Sequence, residues 1–202
     1  MNDYGNNFSG SGHSADRWDF FGNPADFKGT QNSIPYCSGF GGTVSCSQTS
    51  SQTGVTTILS NSAAMGALCT AKAPDPNTLA AGGCFVSGNS VMVPPKLGTF
   101  GTMGRNIFRD SGFKNVDFSL FKSFTFKERY SVQFLAEVFN LFNHPIFANP
   151  YGASSGSSGG QNDPSTPSGF GGASGTPDVN AGNPIVGSGG ARDIQLGLKL
   201  MF

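Results

Sequence analysis

The chain has 202 residues, of which only 12% carry charge, while 30 are glycine and 12 are proline. Lysine plus arginine balance aspartate plus glutamate at 12 each, which leaves no basic footprint for nucleic acid, and the charged fraction is well below the roughly one quarter of an ordinary soluble domain. No run approaches the roughly 18 apolar residues of a membrane helix, and the opening MNDYGNNFSGSG lacks the basic and apolar regions of a signal peptide.

Residues 1–112 read as a loop-rich segment. Glycine, serine, asparagine and proline recur every few residues, and only Gly54–Leu59 and Phe85–Val93 have strand character. Such a composition predicts too little apolar burial to offset the ordering of the chain. All four cysteines, Cys37, Cys46, Cys69 and Cys84, fall here. None forms a CxxC and neither His13 nor His144 is near in sequence, so the spacing is not that of a zinc site. Two loop disulfides in an oxidising compartment are the reading, with Cys37–Cys46 and Cys69–Cys84 as the local pairing. The other two connectivities, and four free thiols, remain open at this level. In GTFGTMGRN the glycines stand at 98, 101 and 104. That is neither the dinucleotide spacing nor a phosphate loop. Arg105, Arg109 and Asp110 fit a loop ion-pair cluster or the lining of a substrate path.

Residues 113–142 read as a transmembrane β-hairpin. In NVDFSLFKSFTF, Val116, Phe118, Leu120, Phe124 and Phe126 share one face, opposite Asn115, Asp117, Ser119, Ser123 and Thr125. In YSVQFLAEVFNLF, Tyr130, Val132, Phe134, Ala136 and Val138 oppose Ser131, Gln133 and Glu137. Partners in an antiparallel ladder point to the same side, and a one-residue slip turns every side chain over. A two-residue turn would join apolar Phe126 to Arg129. A three-residue connection, Lys127-Glu128-Arg129, pairs Phe126 with Tyr130 and Phe118 with Val138. At ~3.3 Å per residue, Val116 to Phe126 covers about 33 Å. Tilted by ~40°, that is about 25 Å vertically, the height of a lipid-facing band. Soluble strands are shorter, with a mode of about 5–6 residues, and their polar faces are richer in charge.

Residues 143–190 form a second Gly/Ser-rich loop, and residues 191–202 a closing strand. There Ile194, Leu196, Leu198, Leu200 and Phe202 alternate with Gln195, Gly197, Lys199 and Met201. The fold class is therefore all-β: about three antiparallel strands of a transmembrane barrel with long irregular extracellular loops. Short turns mark the periplasmic side and long loops the outer side. This orientation runs 115–126 inward, 130–142 outward and 191–202 inward, and it sets the cysteines outside the cell, where disulfides persist.

Three features sit awkwardly in this pattern. Lys122 falls on the apolar face, where its stem snorkels toward the rim or a bulge near Phe121 turns it inward. Phe121, Leu135 and Phe139 fall on the polar face, either as a small lumenal patch or as scattered apolar residues. His13 and His144 have no nucleophile or carboxylate nearby in sequence, and Asp117 and Glu137 suit a polar wall better than acid–base chemistry. No catalytic, cofactor-binding or metal-ligating residue is expected.

Three stretches carry a family resemblance: GTFGTMGRNIFRDSGFKNVDFSLFKSFTF, FLAEVFNLFNHPIFANP and GGARDIQLGLKLMF. They resemble the C-terminal end of Oar-like TonB-dependent outer-membrane receptors. FNLFNHP at 139–145 is similar to the Asn-Leu-Phe motif near the end of many such barrels, and DRWDFFGNP at 16–24 resembles the loop entry before it. The resemblance is specific over 98–150 and 191–202. It implies a large barrel with an N-terminal plug, energised through TonB in the cell outer membrane. It also implies that the alternating residues up to Phe202 form the signal read by the barrel-assembly machinery. The chain is then expected to be a fragment, with the last strands and two outer loops of a substrate-transport barrel. Its expected partners are outer-membrane lipid, the remaining barrel and plug, the assembly machinery and the TonB system, with no nucleic acid and no cofactor. A surface protein or adhesin without transport, and a secreted disulfide-bearing β protein, are the alternatives.

Overall fold

The computed structural model describes residues 7–12, 16–109, 112–126, 130–151, 164, 167–173, 175–176 and 189–202. They fall into two compact units, the first formed by residues 1–111 with 148–174 and the second by residues 112–147 with 175–202. Among the described residues no helix is long and apolar enough to cross a membrane.

The first unit departs from the loop-rich expectation. It holds six strands, β1 (Asp19–Phe21), β2 (Tyr36–Ser38), β3 (Ser45–Thr49), β4 (Thr56–Ile58), β5 (Cys84–Ser87) and β6 (Ser90–Val93), and two helices, α1 (Ser62–Lys72) and α2 (Pro76–Gly82). The strands make one antiparallel sheet in the order β1-β6-β5-β2-β3-β4. All six are three to five residues long, too short to display a period in sequence. Ser87 pairs with Ser90 across Gly88-Asn89. Gly88 has φ 59°, the left-handed first position of a II′ hairpin turn. Alanine-rich α1 follows the helix preference of its sequence. Asp75 caps α2 by accepting from Asn77 N at 2.8 Å, with Pro76 beside it. Gly83 ends that helix at φ 66° against the Tyr36 ring, where a Cβ would collide.

Two cores explain how so polar a segment folds, because β5 and β6 are buried on both faces. On one face Phe85 and Met92 pack with Phe8, Trp18, Phe27, Ile34, Met103, Phe108 and Phe170. The rings of Phe85 and Phe170 are 4.4 Å apart, and those of Phe27 and Phe108 stack at 5.2 Å. On the other face Val86, Val91 and Val93 pack with Met65, Leu79 and all four cysteines. Cys37 is bonded to Cys46, and Cys69 on α1 to Cys84 on β5. Phe170 comes from the tract read as an outer loop. Its carbonyl accepts from Ile34 N at 2.7 Å, and Ala173 N donates to Thr30 O at 2.7 Å. Part of the 143–190 segment is thus a component of this core.

Carboxylates of this unit, buried at Asp16 and Asp19 and half-buried at Asp26, brace loops. Asp16 accepts from Ser9 N at 2.6 Å and Ser9 Oγ at 2.8 Å. Asp19 Oδ1 accepts from both Thr102 N and Thr102 Oγ1 at 2.7 Å. Ser90 Oγ donates to Asp26 at 2.6 Å and accepts from Asn23 N at 2.8 Å.

The second unit holds β7 (Phe118–Phe126), β8 (Tyr130–Phe139) and β9 (Asp193–Met201), an antiparallel sheet in the order β7-β8-β9. Phe126 pairs with Tyr130 and Phe118 with Val138. Three residues separate the strands, and their own conformation lies outside the described residues. Val132 pairs with Leu200 and Val138 with Ile194.

Phe170 is fully buried, and phenylalanine-to-alanine changes in cores cost about 3–5 kcal/mol. Phe170→Ala is expected to lower the unfolding free energy of the first unit by that amount, read from the fluorescence of Trp18, the single tryptophan. A cost near zero would remove residues 167–173 from the core.

Candidate functional site: an exposed apolar sheet face and its end brace

Continuous pairing makes one side of the second sheet apolar. Each strand pair runs through nine consecutive partners without a bulge. Successive rows therefore bring together Phe118, Val138 and Ile194, then Leu120, Ala136 and Leu196, then Lys122, Phe134 and Leu198, then Phe124, Val132 and Leu200. The large residues on β7 and β9 are open, with Leu196 71% and Leu198 68% exposed, while Val132, Phe134 and Val138 on the central strand are half-buried. Val116, Phe126, Tyr130 and Phe202 extend the exposed set. The contiguous area is far beyond the isolated apolar residues that stud a soluble surface.

The opposite side carries rows of Ser119, Glu137 and Gln195, and of Ser123, Gln133 and Lys199. Between them lies a row of Phe121, Leu135 and Gly197. Phe139 pairs instead with Asp193. The apolar set on this wall is thus a contact of Phe121 with Leu135, with Phe139 further along.

Lys122 stays on the apolar side, since the absence of a bulge removes the inward alternative. Its Nζ lies 5.7 Å from the centroid of the Phe124 ring, toward the hairpin end of the strand. That is cation–π range, and it gives the ammonium a partner where the strand is otherwise apolar.

At the other end of the sheet, Asn140 joins all three strands. Its N–H donates to Asp117 Oδ1 at 2.9 Å, its Nδ2 donates to Gly190 O at 2.7 Å, and its Oδ1 accepts from His144 N at 3.0 Å. Asn143 Oδ1 accepts from Arg192 N at 3.1 Å, Leu141 N reaches Val116 O at 2.9 Å, and Ile146 N reaches Gly189 O at 2.9 Å. Asn140 and Asn143 adopt φ of 50° and 51°, a conformation asparagine tolerates better than most residues. In sequence FNLFNHP carries only a resemblance. Its physical content is a buried, satisfied asparagine that fixes the turn after β8 to both neighbours.

Among the described residues, the side chains suited to acid–base or nucleophilic chemistry do not converge. Asp117 is committed to Asn140 and to Asn115 Nδ2 at 3.0 Å, and Glu137 sits in a row with Ser119 and Gln195. His144 is exposed in the turn, and His13 and Asp110 lie outside the described residues. The sulfur atoms of Cys37, Cys69 and Cys84 cluster, but each belongs to a disulfide.

Comparison with curated proteins and with solved structures found no match. The model of a family described as the outer membrane beta barrel domain matches residues 30–195. That span covers well over half of the chain and includes parts of both units. A long-stranded sheet with one apolar and one polar face is the unit from which such barrels are built, and the chain belongs to this outer-membrane β-barrel family and is a protein of the outer membrane.

Proposed function

We propose that the chain contributes closing strands and outer loops to the barrel of an Oar-like TonB-dependent receptor that transports a substrate across the outer membrane. The observation that carries this reading is the FNLFNHP brace combined with the two-faced sheet it anchors. The apolar rows meet hydrocarbon, and the rows of Ser, Gln, Glu and Lys face the lumen. The role assigned is conduction rather than reaction.

Partners follow from hydrogen-bond accounting. The second sheet has β7 and β9 as open edges among the described residues, and an open edge is not sustained in lipid. Single-chain bacterial outer-membrane barrels have at least about eight strands. The reading therefore requires further strands of the same barrel on both edges. A plug and the TonB system supply gating and energy, and the assembly machinery reads the alternating residues Ile194 to Phe202. The disulfide-stapled first unit favours a second reading, a surface protein whose barrel serves only as an anchor. Loss of substrate uptake on TonB removal supports transport, and unchanged uptake supports the anchor.

Two substitutions test the faces in the complete barrel. Leu196→Lys is expected to destabilise it in bilayers by about 2–4 kcal/mol, the cost of a lipid-facing lysine near the midplane. Gln195→Lys should cost little, and equal effects in urea titrations would contradict the assignment. For the assembly signal, Phe202→Ala should reduce the assembled barrel more than Met201→Ala, measured as heat-modifiable protein in outer-membrane fractions. Equal losses would remove the signal role.

A further inference from the structure

Cys37 stands between two other cysteines. Its antiparallel partner on β3 is Cys46, and its partner on β5 is Cys84. One of these neighbours is bonded to it, while Cys84 is bonded to Cys69 on α1. The Sγ atoms of Cys37, Cys69 and Cys84 nevertheless lie within 4.8 Å of one another, and all four cysteines are fully buried. Cys37 and Cys46 have Cα atoms 4.0 Å apart, and directly opposed residues of an antiparallel pair generally lie about 4.5–5.5 Å apart, within reach of the roughly 4.4–6.8 Å that a disulfide usually spans. The backbone that holds Cys37–Cys46 therefore also presents Cys37–Cys84.

We propose that the two disulfides are one exchangeable set with Cys37 as the hub, so that a thiol reductant opening Cys69–Cys84 ends by freeing Cys46 and releasing α1. In the first step an external dithiol is oxidised to its disulfide. Its two electrons and two protons pass to Cys69 and Cys84. In the second step Cys84 gives its proton to solvent and its thiolate attacks Cys37 Sγ. The Cys37–Cys84 bond forms, the Cys37–Cys46 bond breaks, and Cys46 leaves as a thiolate that takes up a proton. Disulfide and thiol numbers do not change in this step, as for any thiol–disulfide exchange. Cys69 is the only cysteine of α1, so the helix loses its covalent tether. The neighbouring central strands β2 and β5 become directly stapled. Opening of Cys69–Cys84 thus loosens α1 while the sheet stays cross-linked.

The test uses the full chain, folded and oxidised, treated at mildly alkaline pH with a limiting amount of dithiothreitol. Thiols are then alkylated and the protein is mapped by mass spectrometry without reduction. The expected result is alkylation of Cys69 and Cys46 with a Cys37–Cys84 cross-link. Alkylation confined to Cys69 and Cys84 would overturn the proposal. So would Cys46–Cys84 cross-links, a pairing that the strand order does not present and that random re-pairing of an unfolded chain supplies. A Cys69→Ser variant needs no reductant, and its single thiol should distribute between Cys84 and Cys46. Label on Cys84 alone counts against the hub. If that variant does not fold by Trp18 fluorescence, the dithiothreitol titration of the unmodified chain decides.

Discussion

Register between three strands is the constraint on which the second unit depends. Pairing Phe126 with Tyr130 and Val132 with Leu200 puts every apolar side chain of the alternating set on one side. A slip of one residue at either interface would interleave Phe and Leu with Ser, Gln and Glu on both faces, and neither face would then suit lipid or water. Because backbone groups in hydrocarbon must all be paired, register also decides which edges need partners. The number of residues in the β7–β8 connection thus controls surface chemistry across the whole sheet. The Asn140 brace holds the opposite end in the same alignment by tying the turn after β8 to Asp117 and Gly190.

The first unit solves a different problem. It has few large apolar residues, and its strands are short, so no single face would bury enough area to order the chain. Burial on both faces lets the short strands β5 and β6 serve two cores: Phe85 and Met92 serve one while Val86, Val91 and Val93 serve the other. The disulfides add to this by limiting the unfolded ensemble, an effect of about 3 kcal/mol for a closed loop of 15 residues. Polar composition and a folded core are compatible here because the carboxylates of Asp16, Asp19 and Asp26 are spent on loop N–H and hydroxyl groups.

The two units were unequally legible from sequence. The alternation of β7, β8 and β9 runs for nine or ten residues, long enough for parity to specify both faces and the length of the connection. In the first unit the segment from Phe85 to Val93 had visible strand character, and the structure divides it at Gly88-Asn89 into the two strands of a hairpin. Strands such as Tyr36–Ser38 carry no period that three residues can show. Nor does local sequence reveal that Phe170 packs against Phe85, since that contact depends on distant segments meeting. The cysteine spacing suggested local pairs, yet the convergence of three sulfurs follows from the β2–β5 register, which the sequence alone does not contain. Asn140 was legible as part of a motif. Its job required the positions of Asp117 and Gly190.

The central claim is that alternate residues of β9 face lipid and water in the outer membrane. Nitroxide scanning of positions 194–200 in the complete barrel, reconstituted in bilayers, tests it most directly. At positions 194, 196, 198 and 200 the labels should collide with oxygen dissolved in lipid and be shielded from a water-soluble nickel chelate. At 195, 197 and 199 the preference should reverse. A flat profile, or alternation in the opposite phase, would contradict the account.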